Sequence, residues 1–232
     1  MTAWLVLLAG LAAPAQKIPE VRQLVAFKFL PGRSQEALAI FKEEALPVYR
    51  AHAPLLRFRA YREAESPEPL DLIVVSTYQG MAGMDRFHEA VRESGASLGG
   101  LYGRIGALTQ EHRDEFVEMD ASLAWGDVDK APLQVLVSHR IAPGNTDAYE
   151  SVLRHRMIPW EKQAGIISGS ESGRFLVSNG WHYFRLIAVA SLGDWHRYLT
   201  ESRAQPWSRQ VTGVVAESKQ AIVAPLPELS VR

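Results

Sequence analysis

The run Leu24–His52, LVAFKFLPGRSQEALAIFKEEALPVYRAH, decides the reading of this chain, because it occurs twice. Leu136–Ala164, LVSHRIAPGNTDAYESVLRHRMIPWEKQA, follows the same plan without a gap. Leu24, Pro31-Gly32 and Pro47 return as Leu136, Pro143-Gly144 and Pro159, each displaced by 112 positions. Ile40-Phe41 returns as Val152-Leu153, and Ala45-Leu46 as Met157-Ile158. A single Pro-Gly match is common by chance. A gapless match of strand, turn, helix and late proline is not, and it marks an internal duplication.

Each copy carries the same string of elements. Leu24–Phe29 and Leu133–Ile141 are β-rich and bounded by Pro-Gly, so they read as strands. Ser34 and Asn145 stand where helix N-caps belong. Helical spacing then runs through Gln35–Tyr49 and Thr146–Gln163, with Pro47 and Pro159 expected to kink or end each helix. Second strands fall at Leu55–Tyr61 and within Ile166–Ser178, and third strands at Leu70–Tyr78 and Tyr183–Leu192. Helical patterning resumes at Met84–Glu93 and Leu101–His112, and at Asp194–Ser202 and Trp207–Glu217. Phe116–Leu123 and Gln220–Ala224 close the copies as strands.

Strand-helix-strand-strand-helix-strand is the split βαβ, or ferredoxin-like, pattern. The expected class is α+β: two tandem ferredoxin-like units over residues 21–123 and 133–228, joined by a linker at 124–132. Each four-stranded sheet has helices on one face and leaves the other bare. Burying one Val, Leu or Phe side chain contributes roughly 1.5–3 kcal/mol, so a wet face would forfeit several such terms. The second copy supplies the cover. The expectation is therefore an intramolecular pseudo-dimeric α/β barrel with its sheets face to face; further homo-oligomers stay open.

Outside the repeats, Met1–Gln16 (MTAWLVLLAGLAAPAQ) has a short apolar stretch before Ala13-Pro14-Ala15. That is the form of a signal peptide spanning 1–15, and it implies export to the periplasm or medium. No later stretch is long enough to span a membrane. The 232 residues are 47% hydrophobic and 22% charged with a formal net charge of −1, which does not favour electrostatic capture of nucleic acid. Cysteine is absent, which excludes disulfides and thiolate chemistry. The seven histidines show no ligand spacing, so neither metal nor cofactor is expected.

The string Phe29-Leu30-Pro31-Gly32, Leu46-Pro47-Val48-Tyr49-Arg50-Ala51-His52 and Ile158-Pro159-Trp160 resembles the NIPSNAP-like branch of the dimeric α/β-barrel superfamily. Ser76-Thr77-Tyr78 and Ser191-Leu192-Gly193-Asp194-Trp195-His196 fit the same superfamily. The resemblance covers nearly all of both copies. It implies the fold; for activity it implies a range, since the scaffold hosts cofactor-free oxygenases, haem enzymes, isomerases and proteins without known activity.

Candidate residues follow from strand alternation. Leu24, Ala26 and Lys28 share one face, with Leu136, Ser138 and Arg140 at the equivalent positions of the second copy, and the other face holds Phe27 in one copy and His139 in the other. His139 is the first candidate for proton transfer. Arg185, in an otherwise apolar third strand, is the candidate anchor for a carboxylate or enolate. Lys28, Phe27, Arg140 and Tyr183 complete the candidate pocket. Glu43/His155, Glu44/Arg156 and Asp71/Arg185 reverse sign between copies, an arrangement that would favour pairing of unlike halves. Three functions compete: an exported protein holding a small, largely apolar molecule between its sheets, a cofactor-free monooxygenase or isomerase, and a non-catalytic scaffold.

Overall fold

The computed structural model describes residues 18–65, 69–96 and 98–231. The signal-peptide reading of 1–15 lies outside the described residues. The first half runs β1 (Glu20–Phe29), α1 (Ser34–Ile40), α2 (Leu46–Ala51), β2 (Leu55–Glu63), β3 (Leu72–Gln79), α3 (Gly80–Glu93), α4 (Leu98–Ala107) and β4 (Thr109–Met119). A two-residue strand, β5 (Trp125–Gly126), leads to β6 (Leu133–Ile141), α5 (Thr146–Val152), α6 (Ile158–Ala164), β7 (Gly169–Val177), β8 (Tyr183–Val189), α7 (Leu192–Arg203), α8 (Ser208–Val214) and β9 (Val215–Pro225).

The strand order is β4-β1-β3-β2-β9-β6-β8-β7-β5, and β4 also pairs with β7. All the pairings are antiparallel, and the β4–β7 pairing closes the sheet on itself. The order β4-β1-β3-β2 recurs as β9-β6-β8-β7. The two four-stranded sheets meet edge to edge. Tyr61, Arg62 and Glu63 pair with Pro225, Ala224 and Val223 at one seam, and Val117, Glu118 and Met119 pair with Phe175, Arg174 and Gly173 at the other. Closure removes the open edges that would otherwise invite aggregation.

Alternation along the strands separates two kinds of core. Leu24, Ile73, Val75, Leu136, Phe184 and Leu186 point into the barrel and pack against one another. Val25, Phe27 and Phe29 point outward, where Phe41, Tyr49 and Phe87 cover them from the helices. The middle of the barrel is thus filled by the chain's own side chains. The segment 124–132 adds to that filling: Val128 and Ala131 are buried against the barrel core, and Gln134 Nε2 donates to Val128 O at 2.7 Å.

Pro47 and Pro159 do not end their helices. A π-helical turn precedes each, at Phe41–Ala45 and Leu153–Met157, and the helix continues to Ala51 and Ala164. Leu46 N–H reaches Phe41 O, and Ile158 N–H reaches Leu153 O, a five-residue step. A proline has no N–H and its ring crowds the carbonyl four residues back; the wider turn moves that carbonyl aside. Ser34 begins its helix rather than capping it, with Oγ donating to Asp71 Oδ1 at 2.6 Å. Asn145 is the N-cap of α5 but makes no side-chain capping bond.

The last strand of each half starts earlier than its composition suggests. Thr109–Asp114 and Val215–Lys219, read as helix in whole or part, belong to β4 and β9. Their charged side chains face water at the barrel mouth, so the apolar alternation of a half-buried strand is missing. Leu98–Gly103, glycine-rich as it is, lies within α4. The sign reversals also fall elsewhere than at the seams. Glu43, Glu44, His155 and Arg156 are exposed on helices, and Glu44 pairs with Arg104 of its own half. Ladder register aligns Arg185 with Val74, because Val25 faces Val74 and Val137 faces Arg185; Asp71 is not its counterpart.

Candidate functional site

A cavity of about 470 Å³ lies between the sheet and the helices of the first half. Its floor is Val25 and Phe27 of β1 with Tyr78 of β3; α2 contributes Tyr49 and α4 contributes Tyr102. His112 and Asp114 of β4 stand at its rim, since they pair across the ladder with Phe27 and Val25. A cavity of this size with apolar walls and a few convergent polar groups is what a small-molecule site requires.

The polar groups are of two kinds. Tyr49 and Tyr102 hydroxyls hydrogen-bond each other. Burial raises both phenols, and each neighbour's proximity acts on the other. Burial also raises Tyr78, against a lowering contribution from Ser76. All three are therefore protonated donors near neutral pH. At the rim, His112 Nε2 is 3.5 Å from Asp114 Oδ2, and Gln23 Nε2 donates to Asp114 Oδ1 at 3.1 Å. His112 stacks on Phe27, with centroids 6.4 Å apart.

The corresponding layer of the second half carries larger side chains at two positions. By the 112-residue displacement Tyr149 replaces Ala37, and by ladder register Tyr183 replaces Leu72. Both tyrosines are buried, with ring centroids 4.8 Å apart. Arg185, 1% exposed, donates from Nη2 to Glu161 Oε1 at 2.9 Å and Oε2 at 3.0 Å, and from Nε to Ser172 Oγ at 3.3 Å. Burial would lower its pKa, but the Glu161 carboxylate more than offsets that. Arg185 is thus committed to an internal partner and does not face a cavity as an anchor for substrate.

His139 lies beside Tyr149 at 5.5 Å between centroids. Burial, and then the charge on Arg185, push its pKa down to about 4. It is neutral at pH 7, well below the range suited to proton transfer there. The structure therefore brings His139, Arg185 and Tyr183 into one packed layer and places Phe27 in the open layer of the other half. Lys28 is on the barrel face, at a mouth pocket of about 230 Å³ shared with Glu115, Trp181 and Lys219. Burial raises the Glu115 carboxyl there. Arg140 is at the rim, 2.7 Å from Glu217 Oε2 and 5.2 Å over the Trp181 ring.

Sequence reasoning missed Tyr49, Tyr78, Tyr102, His112 and Asp114. The two-residue spacing of Gln110, His112 and Asp114 was the available signal, and the helical reading of Leu101–His112 masked its first two members. Among the described residues, no group of three or more His, Asp or Glu side chains could hold a metal ion. Among them too, no helix is long and apolar enough to cross a membrane.

This architecture, an antiparallel sheet closed into a barrel with its helices outside, defines the fold class. No family model matches the chain, and no curated protein matches it. Solved structures do. A candidate monooxygenase from Fusobacterium nucleatum aligns with TM-score 0.65 at 9% identity, over 91% of this chain and 94% of that one. An anthrone oxidase-like protein aligns with TM-score 0.63 at 11% identity, over 90% and 92%. A chlorite dismutase from Candidatus Nitrospira defluvii, in complex with imidazole, aligns with TM-score 0.56 at 10% identity, over 90% and 93%. The chain has the dimeric α/β-barrel fold, and at these identities the likeness is one of fold.

Proposed function

We propose that this chain is an exported, NIPSNAP-like protein whose duplicated halves form an intramolecular pseudo-dimer, and that it binds a small, largely apolar, planar molecule bearing oxygen. The site is the sheet–helix cavity of the first half. The observation that carries this reading is the pairing of aromatic walls with protonated tyrosine hydroxyls in a space of about 470 Å³. Rings pack against Phe27 and Tyr78, while a phenol or ketone oxygen accepts a hydrogen bond from Tyr49 or Tyr102. The recurrence of one strand order in both halves supports the pseudo-dimer. The export reading rests on Met1–Gln16.

A second reading has a specific observation behind it. His112, held by Asp114 at the rim, is placed to take a proton from an enolisable ring carbon of a bound molecule. A cofactor-free monooxygenase or isomerase would work this way, and two of the similar folds are a candidate monooxygenase and an anthrone oxidase-like protein.

Native mass spectrometry of protein purified from its host compartment tests the binding reading, followed by titration with anthrone and hydroxyanthraquinone. A co-purifying small molecule, or binding of either probe that is lost in Val25→Phe, is expected. A bare mass with no probe binding overturns it in favour of a scaffold role. Turnover of anthrone that His112→Gln abolishes, with binding kept, selects the catalytic reading.

A further inference from the structure

Each half ends by reaching into the other. After β4, Asp120 leads into a single 3₁₀ turn, Ala121–Leu123; after β9, Leu226 leads into another, Pro227–Leu229. The second turn lies 106 positions after the first, and its contacts repeat in the same order. Asp120 N–H donates to Ser172 O at 3.0 Å, and Leu226 N–H donates to Ala60 O at 2.8 Å. Ala60 and Ser172 are counterparts, since they face Val74 and Arg185 in the ladders. Two residues past each leucine the chain pairs again, Trp125 with Ser170 and Val231 with Phe58. Leu123 is fully buried in the second-half core with Tyr149, Leu153 and Ile158. Leu229 is buried in the first-half core with Phe41, Leu46, Tyr49 and Phe58.

Both clasps act on the same helix position. In the second half that position is Glu161, which accepts from Trp125 Nε1 and from Ser170 Oγ at 3.3 Å each. In the first half it is Tyr49, the residue aligned with Glu161 in the two copies. The Tyr49 ring stacks on Phe58, with centroids 4.3 Å apart and planes at 19°. Phe58 N–H donates to Val231 O at 2.9 Å, and Val231 N–H donates to Phe58 O at 2.7 Å. β3 covers one edge of β2 at Phe58, and the C-terminal residues cover the other. Direct contacts therefore run from Val231 through Phe58 to Tyr49, whose hydroxyl bonds Tyr102 at the cavity.

We propose that the C-terminal clasp of the second half positions Tyr49 in the first-half cavity, so that one half of the chain completes the ligand site of the other. Leu229 and Val231 are positioning residues, and neither is among the residues that line the cavity. The inference rests on the reading of that cavity as the ligand site. A phenol held in place before the ligand arrives costs less ordering on binding, so a loosened clasp lowers affinity without removing a ligand contact.

Titration with hydroxyanthraquinone and NMR of ring-labelled tyrosine, both on the full chain, test the proposal. The two leucines offer matched lesions: Leu229→Ala and Leu123→Ala each remove a buried plug, and both should lower the melting temperature. Only Leu229→Ala should weaken hydroxyanthraquinone, by about tenfold, and it should weaken it no further in a Tyr49→Phe background. Val231→Pro is the milder lesion. It removes the N–H that bonds Phe58 O, after a residue, Ser230, whose backbone is already extended; it should act in the same direction even where Leu229→Ala does not fold. The Tyr49 ring signals, assigned by their loss in Tyr49→Phe, should shift in Leu229→Ala and Val231→Pro and hold in Leu123→Ala. That readout needs no ligand, so a parent chain that binds no probe overturns the ligand reading while the ring signals still decide the clasp. Equal loss of affinity in both leucine variants, an additive loss in the Tyr49→Phe background, or unmoved Tyr49 signals in Val231→Pro overturns the proposal.

Discussion

Arg185 and Glu161 form a buried ion pair in which a single nitrogen, Nη2, reaches both carboxylate oxygens, at 2.9 Å and 3.0 Å. Glu161 also accepts from Tyr198 at 2.7 Å, Ser170 at 3.3 Å and Trp125 at 3.3 Å. Its corresponding residue in the first half is Tyr49, and that of Arg185 is Val74. An uncharged pair of residues therefore serves the same architecture. Removing one partner of such a pair strands a buried charge, which costs about 3–5 kcal/mol. Arg185→Met alone and Glu161→Leu alone are each expected to destabilise by about that much in urea unfolding. The double variant should be less destabilised than either single one, because no charge is left unpaired. A double variant that lost the sum of both would show that the hydrogen-bond network, rather than the charges, sets the cost.

His139 makes stability depend on pH in a defined direction. Its folded pKa of about 4 is below the ordinary 6.5, because burial and then Arg185 disfavour the imidazolium. Between those values the unfolded chain binds the proton and the folded chain does not. Stability is therefore present above pH 6.5 and is lost as pH falls from 6.5 towards 4. His139→Phe copies the residue at the matching first-half position, Phe27. Urea unfolding at pH 7, 5.5 and 4.5 should show a steeper loss for the parent chain than for the variant. Parallel curves would remove His139 as the cause.

Closure of the barrel can be broken at one glycine. A Cβ on Gly173 would stand 2.3 Å from Glu118 O and 2.8 Å from Val117 Cγ1 across the β4–β7 seam. Backbone cannot yield there without parting the ladder. Gly173→Ala is expected to destabilise by more than about 2 kcal/mol, in the range of overpacked cores. It should also speed amide exchange at Val117–Met119 ahead of the β1–β3 ladder. Uniform exchange across both ladders would mean that the seam is not a separate weak point.

The parts of this fold that repeat locally were readable from the chain. Pro31-Gly32 and Pro143-Gly144 mark the turns, and both glycines adopt positive φ, +76° and +77°. The β-rich runs of β1 and β6, bounded by those turns, need no partner to be seen. What could not be read depends on residues far apart in sequence. The β4–β7 seam pairs Met119 with Gly173, and no local pattern encodes that pairing. The polar starts of β4 and β9 are strands because they complete ladders with β1 and β6, not because of their own composition. The residues that line the cavity of the first half come from β1, α2, β3, α4 and β4, and they meet only in the folded chain, so no local pattern marks them.

Tyr49 and Tyr102 set the last expectation, which concerns the cavity they share. One hydroxyl donates to the other, so the pair holds one O–H still available to a ligand oxygen. Tyr49→Phe removes that relay and leaves the ring walls in place. Tyr102 is half-buried, so water can serve its hydroxyl, and the stability cost should stay within about 1 kcal/mol. Affinity for hydroxyanthraquinone, followed by quenching of intrinsic fluorescence, should fall about tenfold, the equivalent of about 1.4 kcal/mol. Val25→Phe should abolish binding by filling the floor of the cavity. Binding that survives Val25→Phe would place the probe elsewhere, while binding lost in Val25→Phe but unchanged in Tyr49→Phe would make the site one of shape alone, without a hydrogen bond to the ligand.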